Sequence, residues 1–258
     1  MMTIPPLLAP LLAALRFLTV LPLRRGAEFD GLHFQTGLFF FPLVGLGIGI
    51  VALLVTALAG FILPPALTAL VGLVVLAAIS GCLHLDGLAD SADGMLSSRP
   101  RAEKLVIMRD SRTGAMGVIA IVFVLLGKYA ALSTAPPARL AVQLLLMPLA
   151  GRCAIVLTMA LLPYARPEGG LGTLFYSPNT RQAAVLAAVL WLVLAVVVVL
   201  PAGLGSPALL AALVVPAGTV LLFAGWCRRS LGGATGDTLG AVCELSELMA
   251  AVALTVGS

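Results

Sequence analysis

The sequence predicts an all-α polytopic transmembrane helical bundle of about seven spans, and three observations carry that expectation. Of 258 residues, 61% are hydrophobic and 10% charged, against roughly 45–50% and 25% in a soluble domain. Mean hydropathy is +1.14. The apolar residues fall in long unbroken runs, not in the dyad alternation of a spanning barrel. A soluble fold would need far more charge at its surface. Disorder and collagen fail for lack of polarity and of a Gly-X-Y period. Residues 1–258 therefore read as one integral membrane domain, with the lipid bilayer as its first partner. A net charge of +4 could suggest a nucleic acid, but in a membrane chain basic loops are a topology signal. No nucleic-acid partner is expected.

The elements follow in order. Residues 7–23 are apolar but interrupted by Arg16 and punctuated, with the preceding residues, by Pro5, Pro6, Pro10 and Pro22. Without a basic start they do not resemble a signal peptide, and they read as an N-terminal interfacial or re-entrant segment. Strong runs then cover about 36–61, 66–83, 115–132, 140–162, 183–204 and 208–226, with turns at Leu63-Pro64-Pro65 and Gly205-Ser206-Pro207. A seventh, about 238–256, is apolar apart from Glu244 and Glu247. Cys82, Cys153, Cys227 and Cys243 form no CxxC pair and read as free thiols.

Charge divides the loops by side. With the N-terminus inside, one set holds Arg16, Arg24, Arg25, Arg99, Arg101, Lys104, Arg109, Arg112, Arg166, Arg181, Arg228 and Arg229, and the other only Lys128 and Arg139. Twelve against two is a clear positive-inside bias. The acids are as lopsided: Glu28, Asp30, Asp86, Asp90, Asp93, Glu103, Asp110, Glu168 and Asp237 share the basic side, with Glu244 and Glu247 just beneath it. A topology signal does not need acids. An active face on the cytoplasmic side does.

Three constellations lie on that face. In His84-Leu85-Asp86-Gly87-Leu88-Ala89-Asp90-Ser91-Ala92-Asp93-Gly94, a helix would place Asp86, Asp90 and Asp93 within an arc of about 60°. Three like charges repel, and a bound cation relieves them. Carboxylates without a His or Cys set suit Mg²⁺ or Mn²⁺ better than zinc; the plainer alternative is a solvated acidic helix end. His84 could act as general base, orient a carboxylate, or simply sit at the interface. Next, Arg109, Asp110, Arg112 and Gly114 lead into the third run, where the arginines could neutralise phosphate oxygens or merely anchor the span. Third, Gly232-Gly233-Ala234-Thr235-Gly236-Asp237 is a candidate phosphate cradle without the Walker lysine. Beyond it, Asp237, Glu244 and Glu247 span about 80° of one helix face. Acids inside a span usually line a polar cavity or meet a cation. Arg152, deep in the fourth run, either pairs with them or faces a phosphate. Tyr164, Arg166, Glu168, Gly169 and Gly170 form a short inner loop to which the sequence assigns no role.

Together these residues resemble the cobalamin synthase family, the membrane adenosylcobinamide-GDP ribazoletransferases. The matching pieces are Arg16-Phe17-Leu18-Thr19-Val20-Leu21-Pro22, Phe41-Pro42-Leu43-Val44-Gly45, His84 to Asp90 with Asp93-Gly94, Met108 to Gly114, and Gly233 to Asp237 with Gly240-Ala241 and Glu244. They run in the family's order from about residue 14 to 250, and His-Leu-Asp-Gly-Leu-Ala-Asp is highly specific. The resemblance implies a Mg²⁺-dependent transferase of the bacterial or archaeal cytoplasmic membrane, working late in vitamin B12 biosynthesis. Its substrates would be adenosylcobinamide-GDP and α-ribazole or α-ribazole 5′-phosphate, with GMP released and adenosylcobalamin or its 5′-phosphate formed. It places Mg²⁺ on Asp86, Asp90 and Asp93, with His84, Arg109 and Arg112 as further catalytic candidates. Asp110, Arg152, Gly233, Thr235, Gly236, Asp237, Glu244 and Glu247 are the substrate-binding candidates. Whether copies of the chain associate stays open. A CDP-alcohol phosphotransferase would want Arg after Ala89, where this chain has Asp90. A cation-coupled transporter would explain Arg152, Glu244 and Glu247, but it would want midplane acids and paired broken helices.

Overall fold

The computed structural model describes residues 8–23, 27, 30–166 and 168–257, with the side chain of Leu171 left aside. Pro5, Pro6, Arg24, Arg25 and Glu28 of the sequence reading lie outside them. The helices are α1 (Leu8–Leu18), α2 (Asp30–Gly37), α3 (Phe41–Ala59), α4 (Pro65–Ile79), α5 (Leu83–Met95), α6 (Arg101–Ile107), α7 (Ala115–Ser133), α8 (Pro137–Leu161), α9 (Thr180–Val199), α10 (Gly205–Leu231) and α11 (Gly236–Ala253). Short 3-10 turns occupy Leu38–Phe40 and Leu171–Phe175. No strand occurs among the described residues; one isolated parallel bridge joins Tyr164 to Ala234.

Prolines start the long helices where the sequence turns. Pro65 and Pro137 sit in the first turns of α4 and α8, where a missing N–H costs nothing and φ is already helical. Five helices or continuous helical stretches are long and apolar enough to cross a membrane: Asp30–Ala59, α7, α8, α9 and α10. They become six if α4 and α5, bent by 85°, form one broken span. The bend has a local cause. Gly81 and Cys82 both take left-handed backbone, at φ 58° and 56°, which reverses the helical path for two residues. α1 fits the interfacial or re-entrant expectation, since eleven residues rise about 16 Å, half of a roughly 30 Å hydrocarbon layer.

α8 is the axis of the bundle. It packs most extensively on α11 and α3, and further on α9. Outward faces stay apolar: Leu54, Phe123, Val185 and Leu222 are all well exposed, as lipid-facing positions are. The seventh expected run, α11, carries Asp237, Glu244 and Glu247 and lies between α8, α5 and α10 rather than against lipid. Lys128 and Arg139, read from sequence as loop cations of the uncharged side, are instead buried within α7 and α8. All four cysteines are free.

The two ends of the bundle differ as the loop charges predict. At one end, Arg101 Nη2 donates to the Ala165 carbonyl at 3.1 Å and Lys104 Nζ to Ser230 Oγ at 3.1 Å. Arg109 pairs with Glu168. At the other end, turns 60–65 and 133–137 together line an uncharged groove.

Candidate active site

The 83–95 stretch is helical, so Asp86, Asp90 and Asp93 form the acidic stripe that their spacing predicts. What faces the stripe is the start of α11. The two helices meet at glycines: a Cβ on Gly87 would stand 2.8 Å from the Asp237 carbonyl oxygen, and one on Gly240 3.2 Å from His84 Cα. Only a missing side chain permits such an approach. Asp237 is thereby brought against the stripe, and Asp90 lies in the field of Asp237, Asp86 and Asp93, with Arg166 as the opposing charge. Asp237 itself is held by Arg166 Nη2 at 2.6 Å and by the Thr235 hydroxyl at 3.3 Å. Asp86 and Asp90 have no hydrogen-bond or ion-pair partner among the described residues.

Asp86, Asp237, His84, Arg166 and Tyr164 form the polar wall of a cavity of about 290 Å³, and Phe17, Phe41 and Phe175 its aromatic wall. Gly236 also lines it, at the exposed entrance to α11. Asp93 has a different occupation. Its Oδ2 accepts from Gly114 N at 2.6 Å and its Oδ1 from Gly117 N at 2.9 Å. It therefore caps the N-terminus of α7 from a neighbouring helix, satisfying N–H groups that α7 leaves open.

The arginines of the 108–114 loop stand at the surface with carboxylates of their own. Arg109 pairs with Glu168, and Arg112 Nη2 lies 2.7 Å from Asp110. The side-chain and backbone hydrogen bonds from Arg112 hold the Asp110 carboxyl down at about 2. Neither arginine lines the cavity. The glycine loop docks on the loop before Tyr164: Ala234 N donates to the Pro163 carbonyl at 2.9 Å, and Ala165 N to the Ala234 carbonyl at 2.7 Å. Gly233 packs on the Pro163 carbonyl so closely that a side chain would overlap it. Thr235 is the N-cap of α11, in a capping box with Thr238.

Beneath the cavity lies a buried charge cluster. Lys128 Nζ is 2.6 Å from both Glu244 and Glu247, and Arg152 pairs with Glu247. Arg152 Nη2 reaches His84 Nδ1 at 3.4 Å. Two cations meet two carboxylates, so the cluster is neutral overall. Arg152 is the partner of Glu247 that the sequence suggests, but Lys128 completes the set. A lysine within an apolar run was the available signal. Nothing in the sequence announced the Arg166–Asp237 pair or Phe175, because both depend on how separate loops dock.

Among the described residues, no three His, Cys, Asp or Glu side chains are grouped to hold a metal unaided. Mg²⁺ commonly takes one or two carboxylates and fills its other positions with water and phosphate oxygens. The unpartnered Asp86 and Asp90 fit it, and the hard oxygen donors do not suit a thiophilic metal.

The chain also matches known proteins along most of its length. A family model described as cobalamin-5-phosphate synthase matches residues 10–255. An adenosylcobinamide-GDP ribazoletransferase of Syntrophobacter fumaroxidans is 40% identical over 238 residues, covering 92% of this chain and 94% of that one. One from a Roseiflexus species is 39% identical over 250 residues, covering 97% and 90%. One from Klebsiella pneumoniae is 41% identical over 254 residues, covering 94% and 97%. No solved structure matches. The chain is a transferase and belongs to the cobalamin-5-phosphate synthase family.

Proposed function

We propose that the chain joins α-ribazole, or α-ribazole 5′-phosphate, to adenosylcobinamide-GDP and releases GMP. The 3′-hydroxyl of the nucleoside attacks the cobinamide-side phosphorus, and the bond from that phosphorus to the GMP oxygen breaks. The product is adenosylcobalamin or its 5′-phosphate. The observation that carries this reading is the convergence of three carboxylates, Asp86 and Asp237 lining one cavity and Asp90 lying in their field, with Asp86 and Asp90 unpartnered among the described residues.

Asp86 and Asp90 would hold Mg²⁺ together with the diphosphate oxygens, while Asp93 behind them fixes the start of α7. When bound, the ion supplies neutralisation of the diphosphate and of the departing GMP. Arg166 holds Asp237 in place, so that the nucleoside enters against a defined carboxylate. The proton of the 3′-hydroxyl passes to a carboxylate of this group. Arg109 and Arg112 stand outside the cavity on an adjoining loop, where exchanging Glu168 and Asp110 for phosphate oxygens would let them neutralise the larger substrate. The face with these loops is cytoplasmic by the positive-inside rule.

The test is GMP release by the purified protein in lipid with both substrates, with and without Mg²⁺. Release that requires Mg²⁺ and the nucleoside, and that Asp86→Ala abolishes, supports the reading. Release without the nucleoside would make the chain a hydrolase. Full turnover by Asp86→Ala would remove the metal assignment.

A further inference from the structure

Phe17 and Phe41 belong to the N-terminal motifs of the sequence, and the chemistry above uses neither. Phe175 comes from a loop more than 130 residues away. Its ring centroid lies 4.5 Å from that of Phe17, 5.1 Å from Phe41 and 5.0 Å from Phe34. Phe17, Phe41 and Phe175 line the cavity together with Asp86 and Asp237; Phe41 and Phe175 are almost wholly buried and back the more open ring of Phe17.

We infer that this aromatic wall is the binding site for the flat bicyclic base of the attacking nucleoside, an alkylated benzimidazole, with the ribose turned toward Asp86 and Asp237. The inference rests on the transferase reading above and assigns one of its substrates to this cavity. Size makes the first selection. A space of about 290 Å³ is at the lower edge of small-molecule pockets, roughly 300–1,000 Å³, and cannot take a corrin ring with its amide arms. Polarity makes the second. Guanine carries donors and acceptors along its edges, and three phenyl rings would leave them unpaired. A dimethylbenzimidazole presents two methyl groups and aromatic C–H edges, which suit that wall, and its face can stack on the open side of Phe17. The polar side supplies a further sign of a ligand. Arg166 is nine-tenths buried and ion-paired to Asp237, yet its Nε–H has no acceptor among the described residues. A sugar oxygen of a nucleoside seated on the rings would provide one.

The experiment measures KM for α-ribazole and for adenosylcobinamide-GDP separately, in lipid with Mg²⁺, for the wild type and for Phe17→Ala, Phe41→Leu and Phe175→Leu. Losing the stacking ring should raise KM for α-ribazole roughly tenfold in Phe17→Ala while KM for adenosylcobinamide-GDP stays unchanged. The two leucine variants keep most of the bulk behind Phe17, so they report if Phe17→Ala simply fails to fold; each should show a smaller shift of the same selectivity. Wild-type protein should also prefer α-ribazole to its guanine counterpart, α-guanosine. An unchanged α-ribazole KM across folded variants, or a rise confined to adenosylcobinamide-GDP, would overturn the inference and leave the transferase reading intact. No GMP release by the wild type with any nucleoside would instead remove that reading.

Discussion

Lys128 shows how much a single side chain can hold together in this bundle. It is 3% exposed and bonds both Glu244 and Glu247, which are themselves almost inaccessible. Removing it leaves a net negative charge with no water to solvate it, and breaking a buried pair from one side costs about 3–5 kcal/mol. Lys128→Met should therefore lower the thermal midpoint in detergent sharply, and adding Glu244→Gln, which restores neutrality, should recover part of the loss. A Lys128→Met protein as stable as the wild type would mean that the cluster is solvated. Asp93 makes the complementary case. Asparagine keeps one oxygen but turns an amide toward the second N–H, so Asp93→Asn should cost about 1 kcal/mol, as other lost caps do. If Asp93 acts as a cap, the Mg²⁺ concentration for half-maximal turnover should stay put in Asp93→Asn but rise in Asp90→Asn. Equal shifts in both would return Asp93 to the metal. The sequence exposed all these acids as candidates. It could not separate a cap from a ligand, since that depends on which backbone N–H groups another helix turns toward the carboxylate.

Helices explain which parts of the fold were legible. The expected runs at about 115–132, 140–162, 183–204 and 208–226 correspond to α7, α8, α9 and α10, because a span's length and apolarity are local properties. The run at about 66–83 fared differently. It ends at the left-handed pair Gly81-Cys82 and turns by 85° into α5. Composition carries no sign of that angle, yet it lays the acidic stripe across α11. The crossing of α5 and α11 is correspondingly sensitive. Alanine is the better helix former by about 1 kcal/mol, so Gly87→Ala would be neutral or stabilising in a helix that touched nothing. Here the new methyl would meet the Asp237 backbone at 2.8 Å and push Asp237 away from Asp86. Gly87→Ala should lose turnover while the protein stays folded. Gly47→Ala in α3, where a Cβ meets nothing within 4 Å, should keep full turnover. Equal activity in both would show that the crossing has room to spare.

At the scale of the whole molecule, charge asymmetry and chemistry coincide. The basic loops, the acidic stripe and the cavity gather at one end, whereas the groove at the other is lined without a single ionisable side chain. The buried placement of Lys128 and Arg139 sharpens this contrast, because the two cations counted against the bias are not in loops at all. By the positive-inside rule we propose that the active end faces the cytoplasm. The expectation can be read by labelling. Cys82 is exposed and the other three cysteines are buried, so a Cys82→Ser background leaves a quiet surface. Thr134→Cys sits in the turn at the uncharged end, and Ser98→Cys in the exposed loop between α5 and α6. A membrane-impermeant maleimide added to intact cells should mark Thr134→Cys at once, and Ser98→Cys only after lysis. The reverse pattern would place the carboxylates outside, where the positive-inside rule could not account for them.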